Sequence, residues 1–364
     1  MPLILYMQKF FLIILFSSLT LKMYGQLRAP KYSNEFLSIG VGARALGMSG
    51  TQVAIVNDVT SGYWNPAGLI RVKDKYQVSL MHAEYFAGIA KYDYLAFTTA
   101  IDSVSKLGVS VIRFGVDDIP NTLNLFNADG SINYDKITFF ASADYAFLFS
   151  YARKSQRIKG LNFGANLKII HRVVGNFGTA WGFGFDVGLQ YQRRKWQLGA
   201  VVKDITGTFN AWSYNSSLLV KTFALTANVV PENSIEVTLP QAILGVGRSF
   251  TFGRKFGLIA GIDLNVTFDG RRNNTFSDVI KSNLVSIDPK GGFEVAYNKI
   301  AFLRFGVGNI QKIKNFDKTY KTTFQPNFGV GFKLSKFTID YALTDIGDKA
   351  EALYSNVFSI KAGF

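Results

Sequence analysis

Asn356-Val357-Phe358-Ser359-Ile360-Lys361-Ala362-Gly363-Phe364 is the stretch that decides the fold. In an extended strand successive side chains point to opposite faces. Phe358, Ile360, Ala362 and Phe364 therefore share one face, and Ser359, Lys361 and Gly363 share the other. One greasy face and one polar face is what the closing strand of a transmembrane barrel requires, with lipid against the first and a wet lumen against the second. Phe358 and Phe364 are read as the assembly signal such a strand offers to the insertion machinery. The competing reading is an edge strand of a soluble sandwich, and the rest of the chain has to separate the two.

The same period-two pattern recurs upstream. Residues 255–268 place Phe256, Leu258, Ala260, Ile262, Leu264, Val266 and Phe268 opposite Gly257, Gly261, Asp263, Asn265 and Thr267. Trp181, Phe183, Phe185, Val187, Leu189 and Tyr191 alternate with Gly182, Gly184, Asp186, Gly188 and Gln190. Counting such runs predicts an all-β fold: a 14-stranded antiparallel transmembrane β-barrel over 75–364. Links after even-numbered strands are short, as at 193–194, 251–254 and the joins Asn298/Lys299 and Ser335/Lys336. Links after odd-numbered strands are often long, as at 115–136, 205–237, 269–289 and 309–325. Outer-membrane barrels sort their connections this way, with short periplasmic turns and long extracellular loops; a soluble sandwich has no reason to.

Composition agrees. No run after the N-terminus is long and apolar enough for a transmembrane helix. Barrels account for the 34 glycines and 15% aromatic residues, through crowded inner walls and interfacial girdles. Residues 1–25 read as a signal peptide, with Met7-Gln8-Lys9 supplying a basic start, Phe10 to Leu21 the apolar core, and cleavage near Gly25/Gln26. The net charge of +15 is scattered over strands and loops without a basic helix, and export removes the chain from nucleic acid. Membrane lipid, lipopolysaccharide or an acidic partner is the expected counter-charge.

Side chains alone cannot fill a barrel this wide, so residues 26–74, which lack barrel alternation, are expected to plug it. They read Phe36-Leu37-Ser38-Ile39-Gly40-Val41-Gly42-Ala43-Arg44-Ala45-Leu46-Gly47-Met48-Ser49-Gly50, pass through Asn57-Asp58, and end in Tyr63-Trp64-Asn65-Pro66-Ala67-Gly68-Leu69. The candidate plug-locking residues are Gly40, Gly42, Arg44, Gly47, Asn57, Asp58, Trp64, Asn65 and Pro66. Arg44 has four candidate lumen partners, Asp186, Asp263, Glu294 and Asp340. Pro66 disfavours helix at Asn65, so Trp64-Asn65-Pro66 reads as a turn with Trp64 anchored on the inner wall.

These runs, with Gly291-Gly292-Phe293-Glu294 and Asp340-Tyr341-Ala342, resemble the PorV/PorQ family of Bacteroidetes outer-membrane proteins, relatives of the FadL-type barrels that carry hydrophobic molecules. The resemblance spans the mature chain. It implies a fourteen-stranded barrel with an inward-folded N-terminus, and a role as an accessory, cargo-binding or attachment-complex subunit of the type IX secretion system.

No active site is expected. The two histidines, His82 and His171, lie on strands, there is no cysteine, and neither an HExxH run nor a Gly-x-Ser-x-Gly elbow occurs. No metal and no cofactor are expected. Lumen-facing Lys168, Lys203, Arg304, Lys333 and Lys361 against Asp186, Asp263, Glu294 and Asp340 read as a network tying plug to barrel. Phe126, Phe209, Trp212 and Tyr214 on the long loops are candidate partner contacts; the alternative is that these loops pack on one another. Two functional readings follow: a non-enzymatic secretion component, which predicts a sealed lumen and an apolar loop crown, or a FadL-like transporter, which predicts an apolar tunnel beside the plug.

Overall fold

The computed structural model describes residues 33–127, 129–225, 229–270, 285–314, 318–344 and 354–364. The signal-peptide reading, and the part of the plug before Ser33, lie outside them. Sixteen strands run in chain order: β1 (Tyr76–Tyr85), β2 (Ala90–Ala100), β3 (Ser105–Asn121), β4 (Thr138–Lys154), β5 (Leu161–Val174), β6 (Gly178–Arg193), β7 (Trp196–Lys203), β8 (Thr208–Tyr214), β9 (Ser234–Thr238), β10 (Gln241–Phe252), β11 (Phe256–Thr267), β12 (Ser286–Tyr297), β13 (Ala301–Lys314), β14 (Tyr320–Leu334), β15 (Phe337–Thr344) and β16 (Ser355–Gly363). All pair antiparallel, and the sheet closes on itself where β1 meets β16 with Leu80 opposite Ile360. Closure leaves no open edge, the condition for a sheet in lipid.

The barrel has fourteen staves, because two of them are interrupted at one level. β6 pairs with β7 along its lower half and with β8 above; β10 pairs with β7, and β9 with β8. Pairing stops after Lys203↔Gln241 and resumes at Thr208↔Thr238. On one side Asp204 and Gly207 turn through positive φ; on the other stands Pro240, which has no N–H to donate.

The predicted alternation is visible in burial. Along β6, Trp181, Phe183, Phe185, Val187 and Leu189 are exposed to the outside, while Asp186, Gly188 and Gln190 are buried inward. The predicted sorting of connections holds, as at Arg193/Trp196 and Leu334/Phe337 against the long links on the other side. The extent of two long loops differs from expectation. β3 runs on to Asn121, and residues 205–237 hold β8, the helix α3 (Ser216–Leu225) and β9. Their patterns are broken by turn and polar residues, which hides a strand that projects beyond the apolar band.

Residues 33–72 fold inside the ring as short turns of helix, among them α1 (Ala43–Leu46), α2 (Ser61–Trp64) and a 3-10 segment Pro66–Arg71. (α1 and α2 precede α3 in the chain.) The inner wall admits them where it carries glycine. A Cβ added at Gly306 would lie 2.2 Å from the Met48 carbonyl carbon, and one at Gly199 would lie 2.3 Å from the Val53 oxygen. Backbone of the inner segment thus rests directly on backbone of the wall, which accounts for much of the glycine load.

Candidate functional site

The inner segment and the wall are joined by a chain of alternating charge. Arg44 projects from α1, which packs on β14, β15 and β16, and reaches Glu294 of β12 with Nε at 2.9 Å from Oε2 and Nη2 at 3.1 Å from Oε1. Its Nη1 donates to Asn57 Oδ1 at 3.0 Å and lies 3.6 Å from Asp58. Glu294 also receives Arg304 at 2.6 Å, and Arg304 reaches Asp340 at 2.8 Å. Lys361 binds Asp58 at 2.6 Å. Three cations thus face three carboxylates, and the pairing offsets the cost of burying each charge. Burial alone would raise the Asp58 carboxyl, but Lys361 and Arg44 hold it well below the usual carboxylate range. Burial would lower the Arg44 guanidinium, but Glu294 and Asp58 raise it further above its ordinary value.

Of the four partners weighed for Arg44, Glu294 is the one it grips. Asp263 instead accepts the backbone N–H groups of Gln52 and Val53 at 2.7 and 3.0 Å. Asp186 faces Lys168 at 2.8 Å, and Lys168 also bonds Asp204 at the stave interruption. Lys333 is exposed at a strand end and takes no part in this network. Asn65 accepts the Ala67 N–H and donates to the Val53 and Leu189 carbonyls, with Pro66 opening the 3-10 turn behind it. Gly47 lies against Gly329 of β14. Trp64 is held chiefly within its own segment, its Nε1 donating to Val41 at 3.0 Å and its ring closing on Gly40 and Gly50, and it meets the wall at the Lys203 ammonium, 5.8 Å from the ring centroid. Gly40 and Gly42 sit at φ 98° and 84°, where a side chain would be strained.

On the long-loop side of this network the lumen is hollow. One cavity of about 510 Å³ is lined by Phe36, Leu46, Trp64, Tyr85 and Phe114 together with polar Glu35, Ser38, Lys290, Asn309, Gln325 and Asn327. A second, of about 480 Å³, holds Tyr63, Lys203, Gln241, Asn265 and Lys290. Both touch Ser38, Trp64, Lys290 and Asn309, so they are neighbours around the turn at Leu37–Ser38. The Lys203 ammonium stands 4.1 Å above the Tyr63 ring. The apolar cavity was foreseen only as a tunnel in general; its lining comes from the inner segment and distant strands, and no local pattern marks those residues.

The four candidate partner contacts do not form one patch. Phe126 is 63% exposed beside a short bridge to Ile132. Phe209 lies on β8 and faces outward, packed near Phe183. Trp212, three residues on, points inward and is only 7% exposed, stacked on Tyr214 and under the Arg172 guanidinium at 5.1 Å. The expected exposed crown is corrected on this point: strand geometry sends Phe209 and Trp212 to opposite faces. His82 and His171 both face outward, His82 at 2.7 Å from Asp93 and His171 stacked on Trp181. Phe358 and Phe364 lie on the outer face of the seam; Tyr76 and Phe364 exchange two backbone hydrogen bonds, at 3.0 and 2.9 Å.

No family model and no curated protein matches the chain. Solved structures do. The monoaromatic hydrocarbon channel CymD superposes with a TM-score of 0.54 at 14% identity, over 90% of this chain and 98% of its own. The Ralstonia pickettii toluene transporter TbuX gives 0.52 at 15% identity, over 89% and 98%. A Pseudomonas aeruginosa FadL homologue gives 0.50 at 10%, over 89% and 98%. These similarities, with the closed ring of fourteen staves, show that the chain has the fold of the FadL-type outer-membrane barrels.

Proposed function

We propose that this chain is an outer-membrane channel that admits small hydrophobic molecules from the long-loop side. The observation that carries the reading is the 510 Å³ cavity lined by Phe36, Leu46, Trp64, Tyr85 and Phe114 above the inner segment. A cavity of this size and lining suits a compact apolar ligand. Solved barrels of the same fold include channels for monoaromatic hydrocarbons and toluene, which favours the same class here. Passage beyond the cavity requires the inner segment to shift, since Arg44, Glu294 and Arg304 close the lumen below.

The secretion-subunit role implied by the PorV/PorQ resemblance has the closed lumen on its side. Two of the four contacts it calls for do not serve it, because Trp212 is buried and Phe209 faces outward with the lipid-side residues, while Phe126, Tyr134 and Val220 stay exposed at the long-loop end. The test is uptake of labelled toluene into vesicles carrying the full chain. Phe114→Glu, which puts a carboxylate in the apolar cavity, should slow uptake roughly tenfold while assembly is unchanged. Uptake indifferent to this change, with recovery of a secretion partner from native membranes, would replace the transport reading.

A further inference from the structure

Among the described residues, an excess of positive charge collects at one end of the barrel. The segment entering β1 and the six turns of the short-loop side (73–75, 101–104, 153–160, 193–195, 253–255, 298–300 and 333–336) carry 14 Lys and Arg against two Asp. All 14 cations are exposed. The described part of the other end carries both signs, some of them paired, as in Lys91–Asp117 and Arg113–Asp93. The excess is therefore on the side of the periplasmic leaflet, away from lipopolysaccharide.

The charge is densest where two turns meet. β7 pairs with β10, which brings turn 193–195 beside turn 253–255, and the Ser249 N–H donates to the Lys195 carbonyl at 3.0 Å. Arg193, Arg194, Lys195, Arg248, Arg254 and Lys255 converge there with no acid in either turn, and none has an ion-pair partner among the described residues. Arg248 is the informative one. It projects from the outer wall, opposite Trp196, with its guanidinium 4.7 Å from the Trp196 ring centroid and 5.0 Å from that of Phe250. Exposed aromatics at the short-turn end mark the headgroup level of a bilayer. A guanidinium beside such rings on the membrane-facing side, with no ion-pair partner among the described residues, leaves its N–H donors to whatever fills that level. Phosphate is the group whose geometry matches them.

We propose that the outer wall at the junction of the 193–195 and 253–255 turns binds the phosphate of an anionic glycerophospholipid of the periplasmic leaflet. Arg248 and Trp196 form the floor, and Arg193, Arg194, Lys195, Arg254 and Lys255 form the rim. The lipid source follows from placement: the site abuts the aromatic level of the wall, where a diester phosphate with acyl chains below it lies against Trp196 and Leu198. The proposal rests on the barrel spanning a bilayer with its short turns periplasmic.

The full chain is reconstituted in phosphatidylcholine vesicles, and heat-modifiable migration checks insertion. Electron spin resonance then compares the motionally restricted fraction of spin-labelled phosphatidylglycerol with that of spin-labelled phosphatidylcholine. The wild type should favour phosphatidylglycerol about fivefold. Arg193→Gln/Arg194→Gln/Arg248→Gln should bring the ratio close to one, while Arg153→Gln/Lys154→Gln/Arg157→Gln, an equal charge loss on another turn, should leave most of it. No preference in the wild type, or equal loss from both triple variants, overturns the proposal. So does loss of the preference in 20 mM inorganic phosphate at constant ionic strength, which would assign the site to free phosphate. A chain that does not insert overturns the membrane reading instead, and the proposal with it.

Discussion

Removing Arg44 should loosen the inner segment without dissolving the barrel. Arg44 donates three side-chain hydrogen bonds, two to Glu294 and one to Asn57, from a largely buried position. Cutting one partner from a buried ion pair costs about 3–5 kcal/mol when the other is left alone. Here neither carboxylate is left alone, because Glu294 keeps Arg304 at 2.6 Å and Asp58 keeps Lys361 at 2.6 Å. The loss in Arg44→Ala should then be nearer the ~2–3 kcal/mol of hydrogen bonds to charged groups. At 1.4 kcal/mol per decade, the population with the segment undocked rises roughly 30- to 140-fold. Hydrogen exchange of residues 40–72 should speed by that factor while β1 to β16 keep wild-type protection, and brief openings should appear in planar-bilayer recordings. Arg44→Ala with Glu294→Gln should recover part of the protection, since the second change removes a charge that the first leaves underpaired. Unchanged exchange in Arg44→Ala, in a chain that is folded and inserted, would refute the argument that this network holds the segment in place.

Further outcomes can be measured on the same preparations. Gly306→Val should abolish the heat-modifiable form or expel the segment, because its Cβ would sit 2.2 Å from Met48 backbone, whereas Gly257→Val meets only Ala296 Cβ at 3.9 Å and should assemble normally. Acid should weaken docking: Asp58 titrates lower folded than free, so its contribution is complete above the free carboxyl value of about 3.9 and fades as pH falls below it. Conductance should rise as pH falls below about 4, and a rise absent from Asp58→Asn would tie it to this carboxylate. Deleting Phe364 removes two backbone hydrogen bonds from the seam and should lower the folded fraction on unheated gels. Trp212→Ser should destabilise the upper wall, while Phe126→Ser should leave assembly untouched, reversing the equal roles that exposure on two long loops would assign them.

The closing strand at Phe358, Ile360 and Phe364, the alternation through Trp181 to Leu189, and the sorting of connections were all legible in the residues. Each is a local pattern imposed by one constraint, that lipid and lumen lie on opposite sides of every strand. Glycine content pointed to a crowded lumen, but not to which glycine meets which backbone. Arg44 had four acids to choose from in the sequence, and Glu294 became its partner only when the closed ring set α1 on β14 to β16 with its side chain in reach of β12. Lys333 read as a lumen charge by parity, yet it lies at a strand end beyond the inner segment, and parity carries no information about depth. Phe209 and Trp212 read together as a loop because Gly207, Asn210 and Ser213 blur the period of β8; pairing with β6 and β9 sends one out and the other in. The concentration of charge beside Arg248 was present in the sequence as scattered lysines and arginines. Only the pairing of β7 with β10 sets two turns some sixty residues apart side by side, and only the position of Trp196 on the outer wall gives that charge a surface to face.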